Sequence, residues 1–193
     1  MNAPRNPLAI HRIFHPTDFS QDSQVAFVHA LKLALVFRAE LTIMHVDPDV
    51  SPEGFEDFPR IRPTLAQWGL LPESSSKRDV TTLGIRIRKV RALAADAKQA
   101  IMHHLSAAPT DLMVLATHKH EGFARWIHHA VAEPVSRAMH VTTLFVPSNV
   151  AGFVSRTTGE TSLQRVLLPI SNQPPSQPAI DAATVLVSQL SAP

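Results

Sequence analysis

The chain has no cysteine among its 193 residues. That absence excludes disulfides, thiolate metal sites and cysteine nucleophiles together. Long apolar runs are missing too: nothing approaches the roughly 18 consecutive apolar residues that span a bilayer, and the opening MNAPRNPLAI has no apolar core of the kind that directs secretion. A cytoplasmic protein without a membrane partner is the expectation. Neither sign of charge dominates, with 18 basic against 16 acidic residues and a formal net charge of +2, so the pI near 9.4 reflects a slight excess and not a basic stripe. No nucleic-acid partner is expected. Glycine is scarce where it would matter most. The stretch LATHKHEGFARWIHHAVAE, residues 115 to 133, reads as strand end, turn and helix start, the usual phosphate-holding corner of an α/β protein, yet it holds only Gly122. What the chain does have is apolar content, 45% of residues, enough to bury the core of one α/β domain with a remainder.

After a polar leader, residues 1–9, the stretch IHRIFHPTDFS places Ile13 and Phe14 in a strand that stops at Pro16, with Asp18 and Ser20 as caps for the next helix. Val25, Val28, Leu31 and Leu35 then keep a helical stripe, and a β-rich run over Leu41 to Val46 completes a βαβ unit. From Pro48 to about Asp79 proline, serine and charge predict irregular structure with a short helix at TLAQWGLL. IRIRKV alternates Ile85, Ile87 and Val90 with basic residues, which predicts a half-buried strand near a sheet edge. The wider basic run KRDVTTLGIRIRKVR is read as the solvent-facing side of that strand rather than a nucleic-acid groove. Ala97, Ile101 and Leu105 mark another helix, and the unbroken DLMVLAT predicts a central parallel strand covered on both faces. The next helix runs through Val131, Val135 and Ala138. It should begin near Ala130, because Pro134 is tolerated only in a first turn. VTTLFVP closes the set as a β-branched strand. Five strands alternating with helices make residues 10–147 a doubly wound parallel sheet of the α/β class.

The opening pattern then repeats. Shifted by 153 positions, Arg12 meets Arg165, Pro16 meets Pro169, Ala26 meets Ala179 and Ala30 meets Ala183, with apolar residues matched at 10, 13 and 14. The spacing predicts that residues 163–193 are the first strand and helix of a second copy, too short to bury a core alone. Residues 148–162, polar and carrying two glycines, read as the linker.

RIFHPTDFSQDSQVAFVHALKLALVFRAELTIMHV closely resembles the first βαβ unit of universal stress proteins, and DLMVLATHKHEGFARWIHHAVAEPVSRAMHVTTLFVP resembles their last helix and strand at matching distance. The resemblance implies a sheet of the adenine nucleotide alpha hydrolase type, a tandem arrangement with an incomplete second repeat, and a homodimer formed through the strand from Val141 to Val146, with an unidentified protein partner. It also implies a nucleotide question. Family members that bind ATP rest the phosphates on Gly, two residues, Gly, nine residues, then Gly followed by Ser or Thr. Those four positions fall here on Ala116, Lys119, His129 and Ala130, and none matches. Glycine matters there because backbone N–H groups must approach phosphates without a Cβ, and the hydroxyl donates one more bond. Asp18 stands where binders contact the adenine, although TDFS also serves as a helix cap. The degenerate site then comprises Asp18, Ala116, His118, Lys119, Gly122, His129 and Ala130, and the expectation is a non-enzymatic module with no cofactor. The alternative is an ATP-dependent switch with slow hydrolysis, using Asp18, Lys119 and backbone groups.

Eleven histidines raise a metal reading, with HKH at His118 and His120 and HH at His128 and His129, but adjacent histidines point apart and no acidic residue within the cluster orients a ring. No metal is expected. His103 and His104 suit a helix C-terminus, and His45 reads as a hydrogen-bonded strand residue. Trp68 and Trp126 read as packing or interface residues.

Overall fold

The structure is a computed structural model that describes residues 9–48, 54–117, 132–147, 150–171, 173 and 175–190. It opens with β1 (Arg12–Pro16), α1 (Gln21–Phe37) and β2 (Glu40–Asp47), continues through α2 (Ile61–Gln67), α3 (Lys77–Thr82), β3 (Arg86–Leu93), α4 (Ala97–Ala107) and β4 (Leu112–Thr117), and ends with α5 (Ala132–Met139), β5 (Thr142–Pro147) and α6 (Gln177–Leu190). All five strands run parallel in the order β3-β2-β1-β4-β5. The doubly wound sheet expected from the pattern is therefore present, and β3 lies at its edge as the basic alternation predicted.

β4 shows why an unbroken apolar run means a central strand. Leu112, Val114 and Ala116 face α1 with Ile13, Leu41 and Ile43, while Met113 and Leu115 face α4 and α5 with Phe14, Met44, Ile101, Leu105 and Val135. Successive Cβ atoms point to opposite faces, so a strand covered on both sides has no polar positions to spare.

Of the predicted stripe on α1, Val28 and Leu31 are buried. Ala26, Phe27, Ala30, Leu31 and Ala34 form the buried centre, whereas Val25 and Leu35 are half-buried flanks. The helix is covered on more than the sheet side, because residues beyond β5 pack against it. Ser20 caps its start by accepting the Ser23 N–H. α2 ends earlier than TLAQWGLL suggested, with Trp68 as C-cap and Gly69 at φ +71° turning the chain. KRDVTT is helical instead of extending the strand: Ser76 and Asp79 make a reciprocal capping box that overrides the basic run. The predicted start of α5 near Ala130 lies outside the described residues.

Residues 163–170 form no strand and join no sheet. Leu167, the counterpart of fully buried Phe14, is 93% exposed. α6, the counterpart of α1, is helical. Residues 150–162 pack against α1 and α2, burying Val154 and bridging Val154 to Thr161.

Candidate functional site at the carboxyl edge of the sheet

The order in which strands are added to the sheet reverses between β1 and β4, and in open α/β sheets ligands sit outside the carboxyl ends of strands at such a point. One wall of the crevice is the loop from β1 to α1. Thr17 Oγ1 accepts the Phe19 N–H at 3.1 Å and bonds Ser23 Oγ at 3.1 Å, while Asp18 Oδ1 accepts the Ser20 N–H at 3.0 Å. Asp18 therefore shapes the turn and Ser20 is the cap. Phe19 sits at φ +63°, a left-handed conformation costing an ordinary residue about 1–2 kcal/mol. Its ring offsets that cost by stacking on His45 at 4.0 Å and meeting Phe58 edge-on at 5.3 Å.

His45 donates Nδ1–H to the Thr17 carbonyl at 2.7 Å and turns Nε2 toward Asp47 Oδ1 at 3.1 Å. Both nitrogens are engaged, so the ring positions the loop instead of serving as a free base, as its sequence context suggested. The other Asp47 oxygen accepts Arg91 Nε–H, and Arg91 Nη1 reaches the Gly54 carbonyl at 2.6 Å. Sequence reasoning missed Arg91. The register supplies the signal: Lys89 pairs beside Ile43 and Arg91 beside His45, which turns both cations toward the α1 side. Lys89 lies 5.5 Å from the Phe58 ring centre, and burial, with Lys77 and Arg62, lowers its pKa.

Beneath this loop His15 is fully buried. Nδ1–H donates to the Val114 carbonyl at 2.9 Å, and Nε2 has no partner among the described residues. Burial pushes its pKa down to about 4 against the weaker pull of that carbonyl and Asp18. His104 does lie in the last turn of α4, but it is no simple cationic cap: its ring stacks on Phe14 at 5.4 Å, and burial, then Arg88 and His103, oppose its charge.

The other wall is less complete. Ala116, near the end of β4, is buried and paired beside Val146. His118, Lys119, Gly122, His129 and Ala130 lie outside the described residues, as do His120, Trp126 and His128. The structure thus places Asp18 in the loop after β1 and Ala116 near the end of β4, the two strands flanking that point, and the remaining positions lie outside the described residues. Among the described residues no group of three or more His, Asp or Glu gathers to hold a metal, and no helix is long and apolar enough to cross a membrane.

The family model described as "Universal stress protein family" matches residues 9–147, and the chain belongs to that family. Solved structures similar to it include the universal stress protein UspA from Lactobacillus plantarum, 20% identical with TM-score 0.49, covering 71% of this chain and 97% of that one. A family protein from Burkholderia pseudomallei is 20% identical, TM-score 0.45, covering 72% and 98%. A universal stress protein solved in complex with cAMP is 19% identical, TM-score 0.44, covering 72% and 97%. No curated protein matches the chain.

Proposed function

We propose that this universal stress protein acts in the stress response through association, as a non-enzymatic module whose ATP loop is degenerate. The observation that carries the reading is the substitution of all four phosphate-contact positions: Ala116, Lys119 and His129 for glycine, and Ala130 for a hydroxyl residue. Three side chains stand where backbone must approach a phosphate, and the hydroxyl donor is gone. Asp18 keeps its place but holds the Ser20 N–H, a structural task sufficient to explain it. ATP therefore lacks the donor set that relatives of the binding type provide. Calorimetric titration with ATP and magnesium tests this: binding tighter than about 100 μM, roughly 5 to 6 kcal/mol, refutes it and favours the nucleotide-dependent switch.

Homodimerisation through residues 141–146 is part of the same proposal. β5 is an edge strand of the described sheet, with Leu144 half-buried and Phe145 40% exposed, and its unpaired edge suits a second copy. Phe145→Asp should reduce a wild-type dimer to monomer mass in light scattering. An unchanged dimer mass removes this strand as the interface.

A further inference from the structure

Residues 151–162 lie beyond the family match and fold back as a strap over α1 and α2. His29, wholly buried on α1, donates Nδ1–H to the Val25 carbonyl of its own helix at 2.7 Å. Its other nitrogen accepts two backbone N–H groups of the strap, from Phe153 at 2.9 Å and Val154 at 3.2 Å. The Phe153 ring meets the imidazole edge-on at 4.6 Å. Gly152, at φ +71°, comes so close that a Cβ there would lie 2.2 Å from Nε2. Farther along, the Trp68 indole N–H donates to the Arg156 carbonyl at 3.1 Å, Gly159 at φ +69° leaves no room for a Cβ over that indole, and Thr161 reaches the Leu190 carbonyl of α6.

A lone pair accepting two N–H groups cannot also hold a proton. We infer that His29 is a pH-sensitive latch: neutral, it clamps the Phe153 and Val154 amides; protonated at Nε2, it becomes a donor facing two donors, and the strap lifts from α1. The proton comes from solvent and no covalent bond changes. A cleft of about 330 Å³ between α1, α2 and the strap, floored by Phe27 and Val28 and roofed by Arg156 and Thr157, widens when it lifts.

The direction follows from burial, which holds the His29 pKa below 6.5 against the partial opposition of the Val25 carbonyl. Lifting the strap returns the ring to water, so the open form binds protons more readily. Closure is complete above about pH 6.5 and weakens as pH falls, by at most about tenfold in the closed-to-open ratio per pH unit for one proton. The charged and titratable groups on the elements packed here are Asp22 and Lys32 on α1, Arg62 on α2, Arg156 and Glu160 on the strap, Asp181 on α6 and Arg12 and His15 on β1. None is among the causes of the His29 shift, which burial dominates.

The test is amide exchange followed by NMR on the full chain between pH 7.5 and 5, corrected for intrinsic rates, together with titration of the His29 ring. Phe153, Val154 and the Trp68 indole should lose protection with the His29 midpoint, and at pH 5.5 they should exchange faster than Leu41 and Ile43 of β2. His29→Gln, whose side-chain carbonyl accepts N–H bonds without titrating, should flatten that dependence. The latch is overturned if His29 titrates while the two strap amides keep their protection. It is equally overturned if strap and sheet amides exchange at one rate, or if folded His29→Gln repeats the wild-type profile.

Discussion

Replacing His15 with asparagine isolates the part of this fold's acid sensitivity that resides in one ring. His15 is buried in β1 with a pKa of about 4, against about 6.5 for a histidine in the unfolded chain. Between those values the unfolded chain binds the extra proton, so the contribution to stability is complete above about pH 6.5 and is lost as pH falls toward 4. By pH 4.5 the loss amounts to about 2.5 kcal/mol, a substantial share of the 5–15 kcal/mol typical of a domain. An asparagine amide keeps a donor for the Val114 carbonyl and has no titrating nitrogen. The smaller side chain lowers stability by about 1–2 kcal/mol at neutral pH through the space it leaves. Urea unfolding at pH 7.5, 5.5 and 4.5 measures both effects. The wild type should lose about 2.5 kcal/mol more than His15→Asn between pH 7.5 and 4.5, with His29 and His104 supplying the slope that remains. A difference below about 1 kcal/mol would refute the claim that this ring stays neutral because it is buried.

Ser20→Ala removes the cap of α1 and should cost about 1 kcal/mol, read from the urea midpoint, whereas Asp18→Ala should loosen the turn before it by a smaller amount. Asp47→Ala breaks the bridge between His45 and Arg91 and should cost about 1–3 kcal/mol; a double-mutant cycle with Arg91→Ala should return a coupling above about 0.5 kcal/mol. His129→Gly combined with Ala130→Ser restores two of the four phosphate positions. It should raise ATP affinity in calorimetry, and no gain would mean that the loop's lost contacts are not the cause of silence.

Much of the fold was legible because its signals are periodic. DLMVLAT could only be a doubly covered strand, and Ala97, Ile101 and Leu105 could only share one helix face; all three of those helix residues are buried. Signals that depend on partners were not legible. Val25 and Leu35 fit the helical stripe as well as Ala26 and Ala30 do, and only the strap and sheet together decide which residues are closest packed. The run KRDVTT looked continuous with a basic strand because charge was weighed above the Ser76–Asp79 capping spacing. Of the candidate site, the structure describes Asp18, in the loop after β1, and Ala116, in β4, while Arg91 escaped notice because an arginine in an edge strand reads as solvated until register turns it inward.

By itself the sequence determined the parallel sheet, its central strand, the family and the four departures in the phosphate loop, since each depends on residue type at fixed local spacing. Only the tertiary structure decided what residues 151–162 do. Their two glycines read as the mark of a boundary, and in the structure they also leave the clearance that His29 and Trp68 require. Chain separation explains the difference: His29 and Phe153 stand 124 positions apart, and no local pattern records which buried nitrogen a distant backbone N–H will meet.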